Sequence, residues 1–197
     1  MKMLKIEKFF VNNLQSKKRA LALTRKLLGY VELNGKQDLL EVGCGNGVVS
    51  KYIAKNYGSS IVGIDVDPEQ IELARKDTVG MPNIRFLEAD ATSLPFENDS
   101  FDIVLSFGVM HHIYNWLDAL KEIGRVLRAK GYFVYADLIY PGWITRMDRS
   151  SKISFGLVTV GLEDLNSFIK QNGFATIHYG LTNRLICRNY EAVYRRG

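Results

Sequence analysis

The sequence predicts an α/β fold: a doubly wound, seven-stranded, mostly parallel sheet with an antiparallel last strand and helices on both faces. Three observations predict it. Five short apolar runs alternate with segments of helical spacing, the order that builds a parallel sheet. A glycine-rich turn follows the first run, and an acid closes the second. The last two runs are joined only by residues 180–183, too few for a parallel crossover, so they must pair antiparallel.

The elements follow in order. Leu4, Ile6, Phe9 and Phe10 suggest a short opening helix. Leu14, Leu21, Leu27, Leu28 and Val31 recur at helical spacing, and Asn34-Gly35 ends that segment. A short apolar strand occupies 38–42, and the glycines after it lead into a helix reaching about Tyr57. Residues 60–65 are rich in β-branched side chains and read as the second strand. Pro68 marks a helix start, because its missing N–H costs nothing in a first turn. Residues 84–88 form the third strand, and 101–107, almost wholly apolar after Asp102, a fourth covered on both faces. A helix over 117–127 carries Leu117, Leu120, Ile123, Val126 and Leu127 on one side. Ala129-Lys130-Gly131 ends it, and 132–136 is the fifth strand. A helix over 162–171 closes at Asn172-Gly173, and strands at 175–179 and 184–193 complete the chain. Residues 139–160 are the least regular part.

A chain of 197 residues has the length of one compact domain. We divide it into an N-terminal helical cap, 1–36, and a main domain, 37–197. Two cysteines cannot build a disulfide scaffold or a four-cysteine zinc site, so Cys44 and Cys187 read as reduced thiols of a cytoplasmic protein. No apolar run approaches the ~18 residues of a membrane span, and the first residues lack the apolar block of a signal peptide. The net charge of +5 divides unevenly: residues 1–36 carry +7, residues 37–137 carry −6 and residues 138–197 carry +4. An acidic middle therefore lies between two basic ends.

The chemistry concentrates at strand ends. The first strand runs into Gly43-Cys44-Gly45-Asn46-Gly47. Such a turn lets backbone approach a ligand and points N–H groups at it, though it also serves as a plain strand-to-helix turn. Asp65 ends the second strand, where a carboxylate can accept both hydroxyls of a ribose; a helix cap at Pro68 is the other use, and Asp67 suits that better. The spacing is G-x-G-x-G rather than the dinucleotide pattern, and no lysine in the turn makes it a triphosphate loop.

These residues sit in four ordered blocks: Leu39-Leu40-Glu41-Val42-Gly43-Cys44-Gly45-Asn46-Gly47; Val62-Gly63-Ile64-Asp65-Val66-Asp67-Pro68; Asp90-Ala91-Thr92-Ser93-Leu94-Pro95-Phe96 with Asp99-Ser100-Phe101-Asp102; and Leu120-Lys121-Glu122-Ile123-Gly124-Arg125-Val126-Leu127. In this order the chain resembles the class I S-adenosylmethionine-dependent methyltransferases, with their Rossmann-like fold, and within them the subgroup acting on quinones, sterols and other small molecules. The resemblance implies S-adenosylmethionine as cofactor and S-adenosylhomocysteine as product. It implies that Glu41 orients the glycine turn near the methionine amino group, and that Gly43, Gly45 and Gly47, with Cys44 between them, line the methionyl and ribose side. Asp65 would hold the ribose hydroxyls and Val66 would pack on adenine. Asp90 would accept the adenine amino hydrogen, with the Ala91 N–H near the ring. Carbonyls around Ser106 and Phe107 would face the methionine ammonium. Acids and carbonyls suit a ligand carrying a sulfonium and an ammonium.

Methyl transfer needs an acceptor aligned with the S–CH₃ bond, and a base only where the acceptor must lose a proton. His111 and His112, after the fourth strand, are candidate bases, with Tyr140 a further candidate; structural histidines beside the next helix and an aromatic wall are the other readings. No Asp/Asn-Pro-Pro-aromatic motif follows the fourth strand, neither cysteine follows a proline, and Ala136-Asp137-Leu138 lacks a paired Asp-Asn, so base methylation and metal-assisted catechol chemistry are not expected. No metal is predicted. Phe9, Phe10, Tyr30, Tyr140, Trp143 and Phe155 suggest an aromatic cover over an apolar or planar acceptor. A small-molecule or lipid-like acceptor is favoured. RNA or protein, met by Lys17, Lys18, Arg19, Lys26, Arg146, Arg149 and Lys152, is the alternative, and a non-catalytic cofactor-binding subunit is a second.

Overall fold

The computed structural model describes residues 13–76, 78–139, 160–183 and 187–197. Its elements are α1 (Leu14–Leu28), β1 (Asp38–Val42), α2 (Val48–Tyr57), β2 (Ser60–Asp65), α3 (Pro68–Lys76), β3 (Ile84–Glu88), β4 (Phe101–Phe107), α4 (Trp116–Val126), β5 (Leu127–Ile139), α5 (Leu162–Gln171), β6 (Phe174–Asn183) and β7 (Arg188–Arg196). A single 3₁₀ turn, Met110–His112, lies between β4 and α4.

The strands form one seven-stranded sheet in the order β3-β2-β1-β4-β5-β7-β6. β1 through β5 pair parallel, while β7 runs antiparallel to both β5 and β6. The order reverses between β1 and β4, which opens a crevice at their carboxyl ends. Alternation along each strand splits the core in two. Leu40 and Val42 of β1 face one side with α4 and α5; Leu39 faces the other with α1, α2 and α3. β4 is buried on both faces except near its ends, as its apolar run predicts.

Several boundaries differ from expectation, each for a local reason. α1 stops at Gly29 rather than at Asn34-Gly35, and Val31 packs into the core after the helix has ended. Leu14 stands exposed at the first turn, which is held instead by Asn13 accepting the Ser16 N–H at 2.8 Å. α4 begins one residue early, so Trp116 is buried and Leu117 is half-exposed. Residues 129–131 are not a terminator between helix and strand. β5 already starts at Leu127, and its register against β4 shifts between Phe101 and Ile103, with Lys130 at φ 64°. Gly131 fits there because a Cβ would lie 2.8 Å from the carbonyl oxygens of Arg128 and Asp102. Residues 180–183 extend β6 instead of turning, and β7 begins at Arg188. The opening helix over 4–10 and the cover residues Phe9, Phe10, Tyr140, Trp143 and Phe155 lie outside the described residues, as do Arg146, Arg149 and Lys152.

Candidate functional site

The two turns at the switch point touch each other. Gly43, at φ 71°, follows β1, and a Cβ built on it would stand 2.3 Å from the Val109 side chain after β4. Gly47, at φ 73°, would place a Cβ 2.4 Å from the Phe86 ring. These two glycines are therefore required by the protein's own packing. Gly45 differs: the nearest atom to its Cβ position is Gln70 Oε1 at 3.7 Å, an ordinary van der Waals contact, so a side chain there would meet no clash. The Cys44 thiol is buried among the core residues on the α2 side, and burial pushes it up; its N–H donates to the Ile64 carbonyl at 2.8 Å.

Asp65 is buried at the end of β2 and holds the glycine turn in place. Its Oδ2 accepts the Gly45 N–H at 2.9 Å and its Oδ1 accepts the Asp67 N–H at 2.9 Å. Burial raises this carboxyl, and the two backbone donors oppose the rise. Asp67 takes the capping position, accepting from the Glu69 N–H at 3.1 Å. Val66 beside it is 40% exposed, an apolar surface left open next to a buried acid. Asp90 lies further along the same rim, exposed, its Oδ1 accepting from the Thr92 N–H and hydroxyl at 2.8 Å each. Those bonds hold its carboxyl below the usual range. Ala91 is buried in the core on the α4 side.

Glu41 is not a surface charge. It is buried and accepts from the Ser50 N–H at 2.9 Å and from the Ser50 hydroxyl, so it clamps α2 to β1 beneath the glycine turn. Burial pushes its carboxyl up to about 8. Ser106 and Phe107 end β4. The Ser106 hydroxyl is fully buried and has no hydrogen-bond partner among the described residues, and the same holds for Gln70 Oε1.

His111 and His112 stand on the 3₁₀ turn with ring centroids 4.0 Å apart. His111 is buried and its Nδ1 bonds Asp137 Oδ1, two residues before the end of β5. Tyr140 lies outside the described residues. The structure thus brings Glu41, Gly43, Cys44, Gly45, Gly47, Asp65 and Val66 together at β1 and β2, and Ser106, Phe107, His111 and His112 at β4. Asp137, Ser50 and Gln70 were not among the expected site residues. An acid directly after the expected fifth strand at 132–136 signals Asp137 much as Asp65 is signalled; nothing in the sequence marks Ser50 or Gln70.

The donor set fits the expected cofactor. An orphan amide oxygen lies 3.7 Å from the Cβ position of Gly45, an orphan hydroxyl stands one residue before the end of β4, and an exposed valine follows the buried acid. These suit a ligand with ammonium, ribose and flat aromatic parts.

Comparisons with known proteins agree. Residues 40–135 match the family model described as a methyltransferase domain. The chain is 40% identical over 109 residues to the phthiotriol/phenolphthiotriol dimycocerosates methyltransferase of Mycobacterium tuberculosis, covering 55% of this chain and 40% of that protein. It is 35% identical over 117 residues to the 2-methyl-6-phytyl-1,4-hydroquinone methyltransferase of Synechocystis, covering 59% of this chain and 35% of that one. The match thus spans about two fifths of those relatives' length. Among solved structures, the [4+2]-cyclase SpnF superposes with a TM-score of 0.79 at 19% identity over 91% of this chain and 82% of its own, a likeness of fold. With their ordered glycine and acid blocks on this sheet, residues 40–135 match a methyltransferase domain, and the comparisons support the reading of the chain as a class I S-adenosylmethionine-dependent methyltransferase.

Proposed function

We propose that the chain methylates a small-molecule or lipid-like acceptor with S-adenosylmethionine as methyl donor. The observation that carries this reading is the pairing of Asp65 with the Gly45 N–H beside an exposed Val66 at the switch point. The relatives' names, methyltransferases of phthiotriol/phenolphthiotriol dimycocerosates and of 2-methyl-6-phytyl-1,4-hydroquinone, support the acceptor class.

Bound S-adenosylmethionine supplies a methyl group activated on a cationic sulfonium. Asp65 would accept the ribose hydroxyls through the lone pairs its two backbone donors leave open. Gly45 would present its backbone to the ligand, Val66 would offer apolar surface to adenine, and Asp90 with the Ala91 N–H would read the ring's edge. Gly43, Cys44 and Gly47 set the shape of the turn, and Glu41 holds it from below through Ser50. The Ser106 and Phe107 end of β4 would face the ammonium group, and His111, His112 and Tyr140 would stand near the acceptor. The cap at 1–36 would cover the acceptor above the main domain at 37–197. The reading places the protein in the cytoplasm, and no described helix is long and apolar enough to cross a membrane.

The test pairs binding with transfer. Calorimetry should detect S-adenosylmethionine binding to the full chain, and Asp65→Ala should weaken it about 10-fold or more, the worth of hydrogen bonds to a charged group. Labelled methyl from the cofactor should enter the organic-soluble fraction of a cell extract. Label in RNA or protein alone would replace the acceptor class, and unchanged affinity in Asp65→Ala would remove the site assignment.

A further inference from the structure

The helices divide by charge. α1 carries Lys17, Lys18, Arg19, Arg25 and Lys26, and α2 carries Lys51 and Lys55; neither holds an Asp or a Glu. The other helices are mixed. Glu69 and Glu72 stand with Arg75 and Lys76 on α3, Asp118 and Glu122 with Lys121 and Arg125 on α4, and Glu163 and Asp164 with Lys170 on α5. α1 and α2 lie side by side: the Arg25 guanidinium sits 5.3 Å from the Tyr52 ring centroid, and its Nε donates to the Tyr52 hydroxyl at 3.2 Å. The cations also differ in their partners. Lys26 donates to Glu191, and Lys76, Lys121, Arg125, Arg128 and Arg196 each meet an acid. The side chains of Lys17, Lys18 and Arg19 have no ion pair or hydrogen bond among the described residues, and Lys18 and Arg19 are exposed. Leu14, one turn before Lys17 and Lys18, is 69% exposed. Leu27 and Leu28 face the core, so the cationic side is the one that α1 presents outward.

The contacts of α1 fix where that run of three stands. A Cβ built on Gly35 would lie 3.1 Å from the Tyr57 carbonyl oxygen at the end of α2, so the chain leaves α1 along the amino edge of the parallel strands, where β1 begins. Lys26 meets Glu191, which pairs with Ala136 of β5. Tyr30 stacks on His178, whose partner Val193 pairs with Val134, two residues nearer the start of β5. α1 therefore runs from the carboxyl edge of the sheet towards the amino edge. Lys18 lies about 15 Å before the end of α1 at the rise of an α-helix. The unpaired cations and Leu14 thus stand towards the edge at which the glycine turn opens.

We infer that the outward face of α1 docks the protein on an anionic membrane surface, with the crevice edge turned towards the bilayer. That the bilayer holds the acceptor rests on the methyltransferase reading above; the docking face itself rests on the charge and exposure of α1. Anionic headgroups supply the counter-charges that Lys17, Lys18 and Arg19 lack, and they do so without a fixed geometry. Leu14 adds an apolar side chain at the crevice end of the same face. The apolar side of α1 is already buried in the protein, so the attachment is electrostatic adsorption and weakens with salt. A nucleic acid matches this face less well: α1 has no aromatic residue on which a base could stack, and the Arg25 guanidinium is taken up by Tyr52. An acceptor with long apolar parts resides in a bilayer, and a crevice at that edge meets it without drawing it through water.

The test is flotation of the full chain with vesicles. It should bind vesicles of equal parts phosphatidylglycerol and phosphatidylcholine, stay free of pure phosphatidylcholine vesicles, and come off as salt rises from about 0.1 M to about 0.5 M. The triple variant Lys17→Gln, Lys18→Gln, Arg19→Gln should lose about 100-fold in vesicle affinity, at about 5-fold for each charge removed. Lys76→Gln, Lys121→Gln, Lys170→Gln removes the same net charge from α3, α4 and α5 and should leave the affinity nearly unchanged. Both triple variants should melt near the wild type and bind S-adenosylmethionine as tightly in calorimetry. No binding to the anionic vesicles, equal binding to both kinds, or equal losses in the two triple variants would overturn the docking face. Tighter binding to an RNA oligonucleotide than to the vesicles at the same salt, lost in the α1 variant, would overturn the lipid surface in favour of nucleic acid. Vesicle binding without cofactor binding would strike the methyltransferase reading and leave the docking face standing.

Discussion

Glu41 shows how burial changes what a motif residue is. On the sequence it is one acid among fifteen in the segment 37–137. In the fold it is buried against Ser50, and its carboxyl is pushed from 4.5 up to about 8. Linkage gives this a sign. Below pH 4.5 the group is neutral folded and unfolded alike, and its full contribution to stability is present. As pH rises from there towards about 8, the unfolded chain ionises while the folded one resists, so stability is progressively lost. Glu41→Gln removes the titration while leaving an oxygen for the Ser50 donors. Its melting temperature should track the wild type at about pH 4 and exceed it by several degrees at about pH 9. Parallel pH dependence of the two proteins, read by calorimetric melting, would contradict this assignment.

At the scale of elements, the turn after β1 separates two uses of glycine. Gly47 begins α2 at φ 73° with Phe86 and Ala74 against it, whereas the Cβ position of Gly45 meets only Gln70 Oε1, at an ordinary contact of 3.7 Å. Gly47→Ala should cost about 2 kcal/mol or more, from left-handed strain of 1–2 kcal/mol plus displacement of the Phe86 ring. Adding Phe86→Leu should return part of that loss. Gly45→Ala should cost only the strain in stability yet reduce cofactor affinity further, because its new methyl group lies against Gln70 Oε1 in the turn proposed to hold the cofactor. Chemical denaturation and calorimetry on the same three variants would show whether the two losses separate. The loop after β3 is governed by a different element. Arg125 of α4 donates to the carbonyls of Phe96 at 2.7 Å and Leu94 at 3.0 Å, while Glu122 accepts the Leu94 N–H at 2.8 Å. The fourth sequence block thus acts by holding the third, which carries Asp90.

Across the whole molecule, α1 is attached to the antiparallel end of the sheet by a small polar cluster. Glu191 of β7 accepts from Lys26 and from His178 Nε2 at 3.2 Å, and Tyr30 stacks on His178 with centroids 4.0 Å apart. Gly180 leaves room for that carboxylate, since a Cβ there would lie 2.7 Å from Glu191 Oε1. Burial raises the Glu191 carboxyl, but Lys26 and His178 together hold it below its ordinary value. Glu191→Ala should therefore destabilise by only about 1 kcal/mol, as partly exposed pairs do. It should speed hydrogen exchange in α1 and β6 while leaving β1, β2 and β4 protected. Uniform exchange across the chain would show that α1 is held by its apolar face alone. Leu27 and Leu28 make that face substantial, being almost fully buried.

The ranges of β1, β2, β3, β4 and α5 were legible from the sequence, because apolar runs bounded by glycine, proline and acids have one low-energy use in an alternating chain. The ends of α1, α4, β5 and β6 were not. Val31, Trp116 and Leu127 are apolar whichever element holds them, and only the neighbouring strand decides where pairing starts. The glycine turn, Asp65 and the histidines were readable as chemistry, since their residue types are rare at strand ends without a reason. Asp137 as the partner of His111, Ser50 beneath Glu41 and Gln70 over Gly45 were not. Those pairs join residues from separate elements: the His111–Asp137 bond exists only once β4 lies beside β5, and the Glu41–Ser50 bond only once α2 folds back on β1. The sequence by itself thus determined the order of elements and the kinds of groups at the crevice. Tertiary structure alone decided which carboxylates are buried, which are paired and which nitrogen of His111 meets Asp137, because burial and pairing are properties of neighbours.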